Sequence, residues 1–440
     1  MKKLILSLIV LTSLTITNCS KSEDKNTPMQ ENPNDPYKEA PEAPPMENPY
    51  HREPPITASD YVLSEDGKTL IKWLSRNRST LDMQADPILN KVTTIAKEAF
   101  ENSYFTSINI SNEVSTIDQS AFKNSGRLRE ITIPSSVLFL RVKDPNAAAI
   151  WGENSPFYGC NNLEKITCGA KKIETFTFSN LSNLHTVIFT DGVTTIDDEA
   201  VKNCQRLWKL TIPSSVRSIS STAFIGSISK LEELSYGVEN VKYDLFNRAQ
   251  NLKKITLLEG VTSIEARAFE NCKALKEIHF SSTVTTINAN AFSGSGLSTI
   301  TIPETITTIG ASAFSNCKSL TSASIPKTVT HLGDWVFENC ENLEEVTFGP
   351  KILKNGLFLN CTNLKKVTLL EGVTTIGTWA FENRTNLTTL TIKATTPPSI
   401  GEITFKNTAL THIYVPAASV DTYKNDRKWG VFADKIQAIP

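Results

Sequence analysis

The stretch Val284-Thr-Thr-Ile-Asn-Ala-Asn-Ala-Phe292 recurs as Ile306-Thr-Thr-Ile-Gly-Ala-Ser-Ala-Phe314 and again as Val373-Thr-Thr-Ile-Gly-Thr-Trp-Ala-Phe381. Between residue 92 and about residue 412 this motif alternates with Leu-x-x-Ile-x-Ile-Pro, and the pair returns roughly every 22 or 23 residues. A fixed period of this length is typical of a solenoid, in which each repeat forms one turn and contacts only its neighbours. The functional question is therefore which ligand the repeated surface contacts.

One repeat is enough to predict the local structure. After Leu275, the apolar residues Ile278 and Phe280 alternate with polar ones, which indicates a short strand with one buried face. Each turn contributes one aromatic residue at the same position, so the number of turns can be read from this series: Phe100, Phe122, Phe157, Phe178, Phe224, Phe246, Phe269, Phe292, Phe314, Phe337, Phe358, Phe381 and Phe405, with Val201 replacing it once. We predict a leucine-rich repeat solenoid, a β-rich fold of about fourteen turns with a parallel concave sheet and the repeated Phe in its core.

The Ala-Phe pair, the Cys or Asn shortly after it and the Ile-Pro that ends the strand resemble the BspA-like (Treponema-type) leucine-rich repeat surface lipoprotein family, over residues 92–416. The resemblance implies a cell-surface protein, and some members of the family are adhesins for host matrix proteins or other bacteria. The residues from Ile413 to Ile436 resemble the C-terminal cap of related proteins. The predicted segments are a signal peptide (1–18), a lipid-anchored Pro-rich acidic linker (19–55), an N-terminal cap (56–91), the solenoid (92–411) and a C-terminal cap (412–440).

The N-terminus has the pattern of an export signal. The positive start Met1-Lys-Lys3 precedes an apolar stretch up to Leu14 that is too short to span a bilayer. It ends at Ile16-Thr-Asn-Cys19, which resembles a bacterial lipobox, although residues 17 and 18 are larger than usual. The resemblance implies that Cys19 carries the lipid and holds the protein at the outer membrane. The alternative is an ordinary secretory signal, with Cys19 incidental.

Residues 20–55 differ abruptly in composition from the repeats. They include nine Pro and eight acidic residues, and a chain of this kind stays extended and solvated, reaching at most about 110 Å at ~3.1 Å per residue. It is either a stalk that lifts the solenoid off a membrane or a featureless linker. Ser22-Glu-Asp24 resembles the acidic export tag of Bacteroidetes lipoproteins, which implies exposure at the cell surface.

The cysteines follow the repeat. Six lie three residues after the repeated aromatic position: Cys160, Cys204, Cys272, Cys317, Cys340 and Cys361. Cys168 replaces the last apolar residue of its strand. This core register predicts seven buried, reduced thiols that behave as small hydrophobic residues. A disulfide between stacked neighbours such as Cys317 and Cys340 remains the alternative.

The residue between the two apolar strand positions is expected to point outward on the concave sheet, and it is Thr in eight of fourteen turns. Blocks such as Glu232-Glu233 and Lys253-Lys254 place opposite charges on neighbouring turns, which favours stacking.

An insertion of about twelve residues near 137–156 is either a functional loop or a tolerated bulge. The candidate binding residues are Trp151 in that insertion, Trp208, Lys253, Lys254, His279, Lys365, Lys366 and Tyr414.

The sequence argues against other classes of protein. A net charge of −1 gives no reason to expect nucleic acid as a partner. The chain has no HExxH, GxSxG or phosphate-binding Gly-Lys motif, so we expect no enzyme activity, no cofactor and no metal. We predict a surface adhesin that binds an extracellular protein or glycan and contacts the membrane through its N-terminal lipid only. A glycan-capture protein for nutrient uptake and a passive surface spacer are the alternatives; aromatic platforms, which would favour the former, are few on the concave face.

Overall fold

The computed structural model describes residues 53–140 and 154–440, and Pro55–Pro440 form one compact unit. Cys19, the Pro-rich linker and Trp151 lie outside the described residues, as does most of the predicted insertion. The solenoid continues on both sides of that gap, because Glu130–Ile133 pairs in parallel with Lys165–Cys168. The turn that carries Phe157 therefore stacks directly on the turn that carries Phe122, with ring centroids 5.3 Å apart.

One long strand per turn forms the first face of the solenoid, and all of these strands run parallel. Nine of them make one sheet: Thr80–Asp82, Ser107–Asn109, Glu130–Ile133, Lys165–Cys168, Thr186–Phe189, Lys209–Ile212, Glu233–Tyr236, Lys254–Leu257 and Glu277–His279. Seven more make a second sheet: Thr299–Thr301, Ser322–Ile325, Glu345–Phe348, Lys366–Leu369, Thr389–Ile392, His412–Val415 and Ile436–Ala438. We call these two sheets together the long-strand face.

Strands of two residues form the second face, at the Thr-Ile step of the repeat. They are Thr94–Ile95, Thr116–Ile117, Phe139–Leu140, Lys172–Ile173, Thr195–Ile196, Ser218–Ile219, Asn240–Val241, Ser263–Ile264, Thr286–Ile287, Thr308–Ile309, His331–Leu332, Ile352–Leu353 and Thr375–Ile376. An antiparallel hairpin, Tyr61–Leu63 with Thr69–Trp73, precedes them and pairs in parallel with Thr94–Ile95. We call this side the short-strand face.

Helical structure in the described residues is sparse and short. The 3₁₀ turns are Leu89–Lys91, Ile228–Lys230, Ala417–Ser419 and Trp429–Phe432, and the α-helix is Val420–Lys424. In the C-terminal segment, Trp429 donates its indole N–H to the Pro398 carbonyl at 2.8 Å, and its ring lies 5.7 Å from that of Phe405. These contacts cover the last Phe of the repeat series.

The repeated Phe side chains form the core, as predicted. All are buried, and Val201 is buried at the equivalent position. From Phe224 to Phe405 the rings stack in an unbroken column, with centroids 5.4–6.3 Å apart. Offset stacking of this kind adds about 0.5–1.5 kcal/mol per pair to the burial of the ring area.

The Asn that often follows this Phe by two residues has a conformational role. Asn102, Asn203 and Asn339 all have φ of 57–58°, a left-handed conformation that Asn tolerates better than most residues. The side chains also bond from turn to turn: Asn339 Nδ2 donates to Asn316 Oδ1 at 3.1 Å, and Asn360 Nδ2 donates to Asn339 Oδ1 at 2.8 Å. The Asn therefore both closes its own turn and joins it to the preceding one.

The long-strand face is interrupted once, between Glu277–His279 and Thr299–Thr301, which do not pair. The short-strand face stays continuous there, because Thr286–Ile287 pairs with Thr308–Ile309. At the interruption Gly296 comes so close to the preceding turn that a Cβ on it would lie 2.0 Å from the Lys273 carbonyl oxygen. Beside the gap, Ile278 is only half-buried.

The fold prediction is confirmed, with about sixteen turns instead of fourteen. The two additional long strands, Thr80–Asp82 and Ile436–Ala438, lie in segments that the sequence analysis assigned to caps. Neither segment carries the full repeat, yet each adds a parallel strand because the edge of the neighbouring turn offers unpaired backbone groups. The seven repeat cysteines are free and buried, as predicted.

Candidate functional site

The long-strand face presents one side chain per turn in register. Between Ile or Leu residues that point into the core, the outward position holds Asn109, Thr132, Thr167, Ile188, Thr211, Ser235, Thr256, His279, Thr301, Ser324, Thr347, Thr368, Thr391 and Tyr414, none of which is buried. Strand pairing aligns them directly, for example Thr347 with Thr368 and Thr368 with Thr391. The result is a row of small hydroxyl-bearing side chains along each sheet.

The lysines that the sequence analysis singled out lie on this face and form ion pairs between turns. Lys253 Nζ lies 2.8 Å from a Glu232 oxygen and Lys254 Nζ 3.3 Å from Glu277, while Lys365 and Lys366 pair with Glu344 and Glu345 at 2.8 and 2.9 Å. Their side chains remain between 44% and 61% exposed. The blocks of opposite charge thus pair across neighbouring strands, as the sequence predicts, and the positive charge of each lysine is offset locally.

His279 joins one of these networks. Its Nε2 contacts the Glu277 carboxylate, which also pairs with Lys254. The hydrogen bond with His279, and then the one with Lys254, lowers the pKa of Glu277. Similarly, the Glu345 carboxylate raises the pKa of Lys366. These contacts therefore stabilise the charged forms of Glu277 and Lys366.

The two aromatic candidate binding residues on the long-strand face lie at different sheets. Trp208, which is 37% exposed, stacks on His185 at a centroid distance of 6.3 Å, just before a strand of the nine-stranded sheet. Tyr414 stacks on His412 at 5.7 Å, in the seven-stranded sheet. The candidate residues on the long-strand face therefore do not converge on one cluster, and their role in binding stays a prediction.

Two exposed tryptophans were missed by the sequence analysis. Trp335 and Trp379 are 48% and 55% exposed and line a cavity of about 710 Å³ beside the short strand Ile352–Leu353. Both occupy the position two residues before the repeated Phe, where most other turns have polar residues such as Asn290. That anomaly is visible in the aligned repeats, although only the structure places the two indoles at one cavity.

No group of three or more His, Cys, Asp or Glu residues within 53–140 and 154–440 is arranged to hold a metal ion. In the same part of the chain, every helix is too short or too polar to cross a bilayer.

The repeating long strand, the aromatic core column and the short second strand define a leucine-rich repeat solenoid. A family profile, the BspA type leucine-rich repeat region, matches residues 81–143, 152–256, 239–356 and 351–426 in this chain. Because these matches cover most of the sequence, the protein belongs to the BspA-type leucine-rich repeat family.

Solved structures with similar folds come from several bacteria. A leucine-rich repeat protein from Bacteroides ovatus is 24% identical, with a TM-score of 0.43 over 86% of this chain and 97% of that one. The Treponema pallidum leucine-rich repeat protein is 25% identical, with a TM-score of 0.33, over 36% and 78% of the two chains. A leucine-rich cell surface protein from Faecalibacterium prausnitzii is 20% identical, with a TM-score of 0.24, over 88% and 100%. A comparison with curated protein sequences finds no match.

Proposed function

We propose that this protein is a non-enzymatic binding module displayed on a bacterial cell, where it acts as an adhesin for a host matrix protein or a component of another cell. The observation that supports this most directly is the in-register row of outward side chains on the long-strand face, all of them partly or fully exposed. Such a surface repeats one chemical environment over many turns, and extended solenoid surfaces of this kind are suited to binding large ligands.

The sequence supports display at the surface. Cys19 would carry the lipid that anchors the chain in the outer membrane, and residues 19–55 would hold the solenoid away from it. Residues 56–91 and 412–440 would protect the two ends of the solenoid from edge-to-edge association. The family to which the chain belongs is consistent with this arrangement.

Glycan capture is the second candidate, and the cavity beside Trp335 and Trp379 favours it. Exposed aromatic platforms suit a sugar ligand, and the long-strand face has few. A passive spacer without a specific ligand is the third.

Probing the full chain, purified in detergent, against matrix-protein and glycan arrays tests the proposal. Binding to a matrix protein or to whole cells supports the adhesin, and binding confined to glycans supports capture. Absence of binding on both arrays would favour the passive spacer. If a protein ligand is found, charge reversals at Lys253, Lys254, Lys365 and Lys366 should weaken it more than changes on the short-strand face. The opposite ranking would place the site off the long-strand face.

A further inference from the structure

The cavity beside Trp335 is built by three consecutive turns. The Phe rings beneath it, Phe337, Phe358 and Phe381, are spaced 6.0 Å apart at each step, so Trp335 and Trp379 flank a gap one turn wide. In the middle turn the equivalent residue is Gly356, which has φ of +70°. A Cβ there would lie 3.1 Å from Cδ1 and Nε1 of the Trp335 indole. Glycine therefore makes room for the indole over the floor of the cavity.

The two indoles differ from the two buried tryptophans of the fold. Trp73 and Trp429 are buried, and their N–H groups donate to backbone carbonyls at 2.9 and 2.8 Å. In contrast, neither Trp335 nor Trp379 contacts another aromatic ring in the described part of the chain, and neither indole N–H has a protein acceptor there. Two large apolar rings left uncovered at one cavity, each with an available donor, mark a ligand-binding surface.

The acidic groups around the cavity are paired with lysines, whereas one buried arginine nitrogen has no hydrogen-bond partner in the described part of the chain. Lys354 Nζ lies 3.1 Å from Asp334 Oδ1, and Lys406 Nζ lies 3.6 Å from Glu382 Oε1. Arg384 is only 7% exposed, lines the cavity, and has no hydrogen-bond partner for its Nε within the described residues. A buried guanidinium nitrogen without a hydrogen-bond partner is costly.

Arg384 is also anomalous in the sequence. It stands three residues after Phe381, where six other turns have a buried Cys. Replacing a small apolar residue by an arginine at this core position brings a large, fixed positive charge to the wall of the cavity. Burial lowers the pKa of this guanidinium, as expected for a cation removed from water.

We propose that this cavity binds a carboxylate-bearing sugar residue of a glycan, with its ring against Trp335 and Trp379 and its carboxylate on Arg384. A pyranose ring has apolar C–H faces that pack on indole rings. Its hydroxyl oxygens can also accept hydrogen bonds from the indole N–H groups. A carboxylate matches the fork of donors on a guanidinium. A cationic ligand in an aromatic cage fits less well, because Asp334 and Glu382 are already paired with lysines and Arg384 would repel it.

This inference rests on the proposed binding function and narrows its ligand class. Isothermal titration of the full chain in detergent with three oligosaccharides tests it: a hyaluronan hexasaccharide from animal matrix, an oligogalacturonate from plants, and neutral maltohexaose. At least one uronic-acid oligosaccharide should bind at least tenfold more tightly than maltohexaose, and the difference between the first two identifies the source. Equal binding of all three, or binding of none, would overturn the inference.

Variants locate the site. Trp379→Ala should weaken binding of the acidic ligand at least tenfold, whereas Tyr243→Ala, which removes a comparably exposed aromatic side chain several turns from the cavity, should leave that binding unchanged. Arg384→Cys restores the residue that other turns have at this position and should remove the preference for acidic over neutral oligosaccharide. Circular dichroism checks folding, and if Arg384→Cys unfolds, the two aromatic variants decide alone. Equal losses in both aromatic variants would overturn the site. Retained binding to a matrix protein without any acidic-sugar binding would refute this inference and leave the proposed adhesin function standing.

Discussion

Phe292→Ala tests the aromatic column on which the fold depends. Phe292 is fully buried, and its ring stacks on Phe269 at 5.5 Å and on Phe314 at 5.4 Å, with interplanar angles of 15° and 4°. Truncation of a buried Phe costs about 3–5 kcal/mol. Because two stacked pairs are lost, each contributing about 0.5–1.5 kcal/mol, we expect a loss in the upper half of that range, about 4–5 kcal/mol.

Urea unfolding of residues 55–440, followed by fluorescence and circular dichroism together, measures this loss. Non-coincident transitions are themselves informative, since a lesion in the middle of a repeat array can uncouple its two halves. Phe292→Leu is the matched control, because Val201 shows that an aliphatic residue is accommodated at this register; it should lose less than half as much. A loss below about 1 kcal/mol for the alanine variant, with coincident transitions, would refute the reasoning.

Four further experiments test other features of the molecule. Cys19→Ala should move the full chain from the detergent phase to the aqueous phase; equal partitioning of variant and wild type would exclude Cys19 as the anchor. Thiol titration of the denatured, non-reduced chain from which residues 1–19 are removed should count seven, and a lower count would reveal a disulfide. Burial raises the pKa of five of these thiols, Cys272 among them, from 9.0 to about 12. Since the unfolded chain loses these protons first, the free energy of unfolding should fall as pH rises from 9 towards 12, and less steeply in Cys272→Ala; an identical slope would argue against that burial. Gly296→Ala should destabilise by about 1–3 kcal/mol because its Cβ would meet the Lys273 carbonyl, whereas Gly126→Ala, whose Cβ has no neighbour closer than 3.9 Å, should change little; similar effects of both would contradict the steric reason.

The repeat let the sequence predict much of the fold. In a solenoid each residue contacts its own turn and the two adjacent ones, so the period that aligns the letters also aligns the side chains. This is why the burial of Phe292, the free thiol of Cys272 and the pairing of Lys366 with Glu345 could all be predicted from spacing. The terminal strands were missed for the same reason, because Thr80–Asp82 and Ile436–Ala438 lie outside the period.

The sequence by itself determined the class of fold, the core register and the alternation of charge along the long-strand face. Only the tertiary structure decided which departures from the repeat come together. Trp335 and Trp379 are 44 residues apart in the chain, and each alone is an unremarkable surface residue. Stacking of turns places both beside Gly356 and the buried Arg384, whose Nε has no hydrogen-bond partner within the described residues. The repeat period fixes the features that all turns share. This candidate site is instead formed by residues that depart from the repeat, and whether such residues lie together depends on how neighbouring turns pack.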